Sequence, residues 1–218
     1  MTDFRFHARQ WAGKARRWIW KVPRPPGSVI RLHLGCGAIN HPGFINIDGV
    51  SRPHVHHIQS VVDLSNFAEG SVDFLYTSHV LEHFSHGQTA RVLEEWHRVL
   101  KAGGSLCISV PDFDKIIDIY EAAHGDTEAI VQPLFGGQDY PFNFHYTVFN
   151  ERGLSKMLKA AGFDCVWRWE HGSDAFHNMP DWSGRSIHIG GRPHPISLNL
   201  EASKQRPVDR TPCRPNAS

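Results

Sequence analysis

The chain of 218 residues is 40% hydrophobic and 21% charged with a formal net charge of +1, which suits one globular domain with its own core and gives no whole-molecule attraction to nucleic acid. No apolar run approaches the roughly 20 residues that span a bilayer and no signal-type segment opens the chain, so a soluble, cytoplasmic protein is expected. Cys36, Cys107, Cys165 and Cys213 lie far apart without a CxxC pair, suggesting neither a disulfide framework nor a zinc ribbon.

Residues 1–27 differ from the rest. Arg5, Arg9, Lys14, Arg16, Arg17, Lys21 and Arg24 are opposed by Asp3 alone, while Phe4, Trp11 and Trp18 recur every seven residues on one helical face. Pro23, Pro25, Pro26 and Gly27 end this basic amphipathic helix. It either rests peripherally on the inner face of a membrane, or on an acidic partner, through residues 4–21, or packs on its own domain with the basic face solvated.

From Val29 onward strand and helix signals alternate. Val29 to Leu34, Phe44 to Ile47, Ile58 to Leu64 and Val72 to Thr77 read as four strands. A helix follows over Gln88 to Lys101, its apolar stripe made by Val92, Leu93, Trp96, Val99 and Leu100 and its end marked by Gly103 and Gly104. Leu106 to Val110 is the next strand. Residues 112 to 124 form a helix burying Ile116, Ile117, Ile119 and Tyr120, and an irregular aromatic stretch leads to a helix over Glu151 to Ala161, capped by Asn150 and ended by Gly162. Cys165 to Trp169 and Ile196 to Leu200 complete the strands, and residues 205–218 read as a loose tail. This alternation predicts an α/β fold, a doubly wound, mainly parallel sheet of about seven strands in a domain over 28–204.

In such a sheet ligands bind beyond the carboxyl ends of the strands, where the strand order reverses. In RLHLGCGAINHPGFINID, residues 31–48, Gly35 and Gly37 permit a sharp turn and a close backbone approach. Asp48 ends the second strand, where a carboxylate can accept hydrogen bonds from both hydroxyls of a ribose.

LHLGCG, INID, VVDL, VDFLYTSHVLEHF and LKAGGSLCISVPD, in that order over roughly residues 29 to 204, resemble the class I S-adenosylmethionine-dependent methyltransferases. The resemblance implies S-adenosylmethionine as cofactor, with the Gly35-Cys36-Gly37 turn against its methionine end and Asp48 on its ribose. It also implies that Asp63 and Leu64 border the adenine, and that Ser78 and His79 sit beside the sulfonium and the entering acceptor. His33 occupies a cofactor-facing position that usually carries an acid, and Ile39 stands where a third glycine is usual. Only Ala38 to Gly43 separate the glycine turn from the second strand, too few for the usual helical crossover; at about 3.3 Å each they reach roughly 20 Å in extended form, which predicts a helix-free crossover. A nicotinamide-binding domain is disfavoured because GxGxxG is missing and the acid arrives too early.

Methyl transfer needs alignment of donor and nucleophile, plus a base when the acceptor is a hydroxyl. In SHVLEHFSH, a helical reading puts His79, Glu82 and His83 on one face at a spacing that can share a divalent metal ion. The segment is similar to one in the ubiquinone-biosynthesis O-methyltransferases, which carry an acid where this chain has His79. Otherwise Glu82 and His83 fix the pocket wall. His79, His83 and His145 are the candidate bases, since an imidazole titrates near neutrality. Tyr140, Phe142, Phe144 and Tyr146 form either a stacking platform for a sugar or aromatic acceptor or lid packing. His54, His56 and His57 in PHVHH read as solvated loop. FHYTVFNERGLSKMLKAAGF is similar to a branch of small methyltransferases associated with cell-surface glycan assembly. The reading is therefore an O-methyltransferase for a small molecule or glycan; the alternative is a non-catalytic S-adenosylmethionine-binding regulatory or assembly protein. RNA would demand a broader basic surface.

Overall fold

A computed structural model of the chain describes residues 28–173 and 176–205. The N-terminal helix expected over 1–27 and the tail beyond Gln205 lie outside them. The strands are β1 (Arg31–Leu34), β2 (Ile45–Asp48), β3 (His57–Ile58), β4 (Val72–Ser78), β5 (Leu100–Pro111), β6 (Cys165–Arg168), β7 (Ser186–Ile189), β8 (Arg192–Pro195) and β9 (Ser197–Ser203). Seven of them form one sheet in the order β3-β2-β1-β4-β5-β9-β6, and β7 and β8 pair as a hairpin. β1 to β5 run parallel, whereas β9 is antiparallel to both its neighbours. The order reverses between β1 and β4, so the chain's own topology opens a crevice beyond their carboxyl ends.

Among the described residues four helices, α1 (His86–Val99), α2 (Phe113–Ala122), α3 (Glu128–Phe135) and α4 (Glu151–Ala160), accompany the sheet. The first is set by sequence: Ser85 and Gln88 make a capping box, and Val92, Leu93, Trp96 and Val99 are buried at helical spacing. Each such side chain contributes about 1.5–3 kcal/mol relative to exposure. With α4 they pack on the main core cluster, which includes Leu32, Leu34, Leu75, Leu106 and Ile108 from the strands. The other cluster gathers Phe44, Tyr76, Cys107, Trp169 and Met179.

The helix-free crossover from β1 to β2 is present, and among the described residues the connections β2 to β3 and β3 to β4 carry no helix either. The last is instead stapled to α1. Trp96 Nε1 donates to the Val61 carbonyl at 2.9 Å, Leu64 N donates to Glu95 Oε1 at 2.8 Å, and Arg98 reaches the Leu64 and Phe67 carbonyls at 3.2 Å each. These side chains satisfy backbone that a helix would otherwise satisfy internally.

Several expectations need correction. The strand expected over 58–64 is only His57–Ile58, because Asp63 and Leu64 turn away to α1. Ile117 and Tyr120 are 42% and 38% exposed, since α2 buries the narrower Ile116 and Ile119 seam. The aromatic stretch contains α3, with Pro133 inside it. The hairpin β7–β8 was not anticipated; Gly190 and Gly191 at its tip both take positive φ, the turn signal that would have marked it. Cys165 is disulfide-bonded, which the cysteine spacing did not suggest.

Candidate active site

The glycine turn leaves β1 with Gly35 at φ +63° and Gly37 at φ +53°, in the left-handed region that side chains disfavour. Gly35 N and Cys36 N both donate to the Ile47 carbonyl, at 2.8 and 3.3 Å. A Cβ at Gly35 would collide with Val80 Cγ2, whereas one at Gly37 would meet nothing within 4 Å. Asp48 closes the turn from β2: Oδ2 accepts from Gly37 N at 2.8 Å and Oδ1 from Val50 N at 2.7 Å. His54 adds its Nε2, 3.0 Å from the Gly37 carbonyl, so PHVHH is partly a brace for this turn rather than plain solvated loop.

Beyond the turn lies a cavity of about 360 Å³ whose walls include His33, Gly35, Cys36, Gly37, Ser78 and His79. His33 is buried among rings, 5.3 Å from the Tyr76 ring and 6.2 Å from that of Phe44. Burial lowers its pKa to about 4 against the pull of Asp181. Its Nδ1 and the Ser78 hydroxyl are buried without a hydrogen-bond partner among the described residues. The Cys36 thiol is pushed up to about 12 by burial and then by Asp48. Burial, then Asp48 and Asp139, also raise Tyr140, which lines the cavity.

A histidine cluster closes the far wall. The chain does not pass through it as a regular helix: His79 has φ 54°, and only Leu81–His83 form a 3-10 turn, so the one-face spacing expected of a helix does not apply. Glu82 is fully buried, and both carboxylate oxygens lack a hydrogen-bond partner among the described residues. His79 Nδ1 stands 3.3 Å from Oε1, an ionic approach off the direction of a hydrogen bond, and His145 Nε2 stands 3.9 Å away. Burial pushes the Glu82 carboxyl up, but the neighbouring His79, then His83 and His145, outweigh it and hold it below its ordinary value.

The tautomers follow from the partners. His145 Nδ1 is 3.1 Å from the Pro133 carbonyl and His83 Nδ1 is 3.1 Å from the Phe144 carbonyl. A carbonyl only accepts, so each Nδ1 carries the hydrogen and each neutral ring keeps its lone pair on Nε2. Burial lowers the pKa of His145 against the pull of Glu82, which keeps that lone pair available at neutral pH. His79 is less suited to act as a base, because Nε2 lies 2.8 Å from Ser197 Oγ while Nδ1 faces Glu82. Glu82, His83 and His145 also each offer a ligand atom within 4.8 Å of the others, so His145 replaces the expected His79 in the set that a divalent ion would use.

His33, Gly35, Cys36, Gly37, Ser78, His79, His83 and His145 thus come together on one cavity. Asp48 stands behind the turn. Leu64 is buried in the main core, and Asp63 Oδ1 accepts from Ser65 N at 3.2 Å; neither lines the cavity. Sequence reasoning missed Asp181, Trp182 and Arg185, a third wall. Asp181 takes a hydrogen bond from the Tyr76 hydroxyl at 2.8 Å and caps Ser183 N at 2.9 Å. The Arg185 guanidinium lies 4.4 Å over the Trp182 ring. The Asp-x-Ser cap in PDWSG was the available signal.

The cavity lies at the switch point of a doubly wound sheet. Residues 45–108 match the family model described as "Methyltransferase domain", and no curated protein matches the chain. Among solved structures, a methyltransferase of Thermotoga maritima, described as a possible histamine N-methyltransferase, is 16% identical, with 93% of this chain and 97% of that one covered at a TM-score of 0.52. A methyltransferase of Archaeoglobus fulgidus is 15% identical, covering 93% and 100% at a TM-score of 0.51. These structures supply the fold, and residues 45–108 carry the likeness to a methyltransferase domain, whose methyl donor would be S-adenosylmethionine.

The residues present fit that cofactor. His33 and Ser78, each with a buried polar atom lacking a hydrogen-bond partner among the described residues, line a cavity in which the Gly37 position is open, so a ligand's approach to the backbone is unobstructed and polar groups stand close by.

Proposed function

We propose that the protein transfers a methyl group to an oxygen of a small molecule or glycan, with His145 as the general base. S-adenosylmethionine, when bound, supplies an electrophilic methyl group. The turn at Gly35 to Gly37, with His33 and Ser78, is suited to hold it, and Asp48 keeps the turn in shape. An alcohol or phenol is a poor nucleophile until its proton leaves, and a positioned imidazole contributes typically 10²–10⁴-fold to such a step. The observation that carries the reading is the Nδ1–H of His145 on the Pro133 carbonyl, which leaves the lone pair on Nε2 of a ring that lines the cavity, with Glu82 3.9 Å from that nitrogen to favour the imidazolium formed on proton uptake. His83 has the same tautomer and a ring centroid 5.0 Å away. Tyr140, Phe142 and Tyr146 are exposed, and Tyr140 lines the cavity. Aromatic faces at such a mouth suit a sugar or aromatic acceptor.

The test is methyl transfer from labelled S-adenosylmethionine to sugar and phenol acceptors. His145→Ala is expected to lower turnover about 10²-fold or more while cofactor affinity is kept. Cofactor binding without transfer to any acceptor would instead favour a regulatory or assembly protein that retains the fold.

A further inference from the structure

Away from the histidine cluster, three different metal-binding chemistries meet in the second core cluster. Cys107 and Glu201 are paired in register on the antiparallel strands β5 and β9, so their side chains leave the same face of the sheet. His177 comes down on them from the segment after β6. Cys107 Sγ lies 3.2 Å from His177 Nε2, and Glu201 Oε2 lies 3.3 Å from that same nitrogen. The three ligand atoms are all within 4.8 Å of one another. The imidazole is fixed from its other sides: Trp169 stacks on it at 4.7 Å and 17°, and Ser173 Oγ is 3.0 Å from Nδ1. Cys107 is fully buried and His177 is 9% exposed.

A nucleophile triad would place the thiol and the carboxylate on opposite nitrogens of the ring. Here both converge on Nε2, so the imidazole cannot relay a proton from one to the other. Convergence of a thiol, an imidazole nitrogen and a carboxylate oxygen on one point is what a tetrahedral cation requires. Bonds of about 2.3 Å to sulfur and about 2.0–2.2 Å to nitrogen and oxygen set neighbouring ligand atoms roughly 3.3–3.6 Å apart. The two short separations observed, 3.2 and 3.3 Å, lie within about 0.4 Å of that spacing, so small side-chain shifts would seat the ion.

We propose that Cys107, His177 and Glu201 bind one zinc ion. The mixed soft and borderline ligand set favours zinc over magnesium or calcium. On binding, the Cys107 thiol proton is released to solvent and the sulfur bonds as thiolate, the ring bonds through neutral Nε2, and water completes the fourth position. The ion ties the segment bearing His177 to the middle of the sheet. Four residues further on, that segment supplies Asp181 and Trp182 to the cavity, so the metal holds one wall of the cofactor site from behind.

The test is zinc content by inductively coupled plasma mass spectrometry on the full chain, loaded with zinc and dialysed without chelator. A stoichiometric ion is expected in the wild type and in the double variant Glu82→Gln, His83→Ala, and only a trace in Cys107→Ser and His177→Gln. As a readout independent of the folding of those two variants, cobalt is also loaded into the wild type, where a near-ultraviolet thiolate-to-cobalt absorption is expected. No bound zinc in the wild type, zinc retained by folded Cys107→Ser and His177→Gln, or cobalt binding without the thiolate band would each overturn the proposal.

Discussion

Two glycines two residues apart in the cofactor turn are expected to fail in different ways. At Gly35, alanine meets both a left-handed backbone, which costs about 1–2 kcal/mol, and the Val80 side chain, where overpacking typically costs another 1–3 kcal/mol. At Gly37 only the backbone cost applies, because the space a Cβ would enter is open. For a chain of this size 1 kcal/mol moves Tm by roughly 2–4 °C. Gly35→Ala should therefore melt about 4–20 °C below the wild type, and Gly37→Ala about 2–8 °C below. Calorimetric titration with S-adenosylmethionine should show the opposite order in the surviving folded protein, with Gly37→Ala weakened at least about tenfold, or 1.4 kcal/mol, because a methyl group now occupies ligand space. The collision can be isolated by adding Val80→Ala: the double variant Gly35→Ala, Val80→Ala should recover part of the loss, a favourable coupling of about 0.5–3 kcal/mol. Equal melting of the two glycine variants, or strictly additive losses in the double variant, would refute the packing argument.

Other outcomes follow from the titrating groups. The unfolded His33 imidazole gains its proton near pH 6.5 and the folded one only near pH 4, so between these values the unfolded chain binds more protons. Stability is then full above pH 6.5 and falls as pH drops toward 4, by about 3 kcal/mol in all. Denaturant unfolding should show that loss in the wild type and a correspondingly smaller one in His33→Gln. Since burial lowers His145, the acid limb of the pH–rate profile should have its midpoint below pH 6.5, the ordinary value for histidine; a midpoint above it would remove His145 as the base. Asp48→Asn replaces an acceptor by an NH2 facing an amide donor. It should cost about 1–3 kcal/mol of stability and weaken cofactor binding in calorimetry, whereas unchanged affinity would mean that the turn does not depend on Asp48.

Much of the fold was legible because its signals are local. The capping residue of α4, the apolar stripe of α1 and the short β-rich runs each follow from a few neighbouring residues. The helix-free crossover was legible from a length alone. What the sequence hid is set at long range. Leu64 is a core residue because Glu95 and Arg98, about 30 positions later, hold its backbone. The partner of Glu82 in a metal-competent set is His145 rather than His79, since a 3-10 turn replaces the assumed helix and the segment after α3 folds back to place His145 beside it. Asp181 and Trp182 face the cavity from a segment with no periodic pattern, so only the fold could reveal them.

The lack of helices across β1, β2 and β3 bears on how the molecule breathes. A crossover helix contributes many short-range contacts that form cheaply; strands joined by irregular chain depend on pairings between distant residues, whose loop-closure entropy is recovered only when the sheet is complete. The amides of Ile45–Asp48 should accordingly exchange with deuterium through small local openings, while those of Leu106–Val110, flanked by β4 and β9, wait for global unfolding. Gly37 and Asp48 belong to the weaker part. A ligand seated on the turn would thus raise protection across a whole flank of the sheet, and binding and the final consolidation of the fold would be measured as one event.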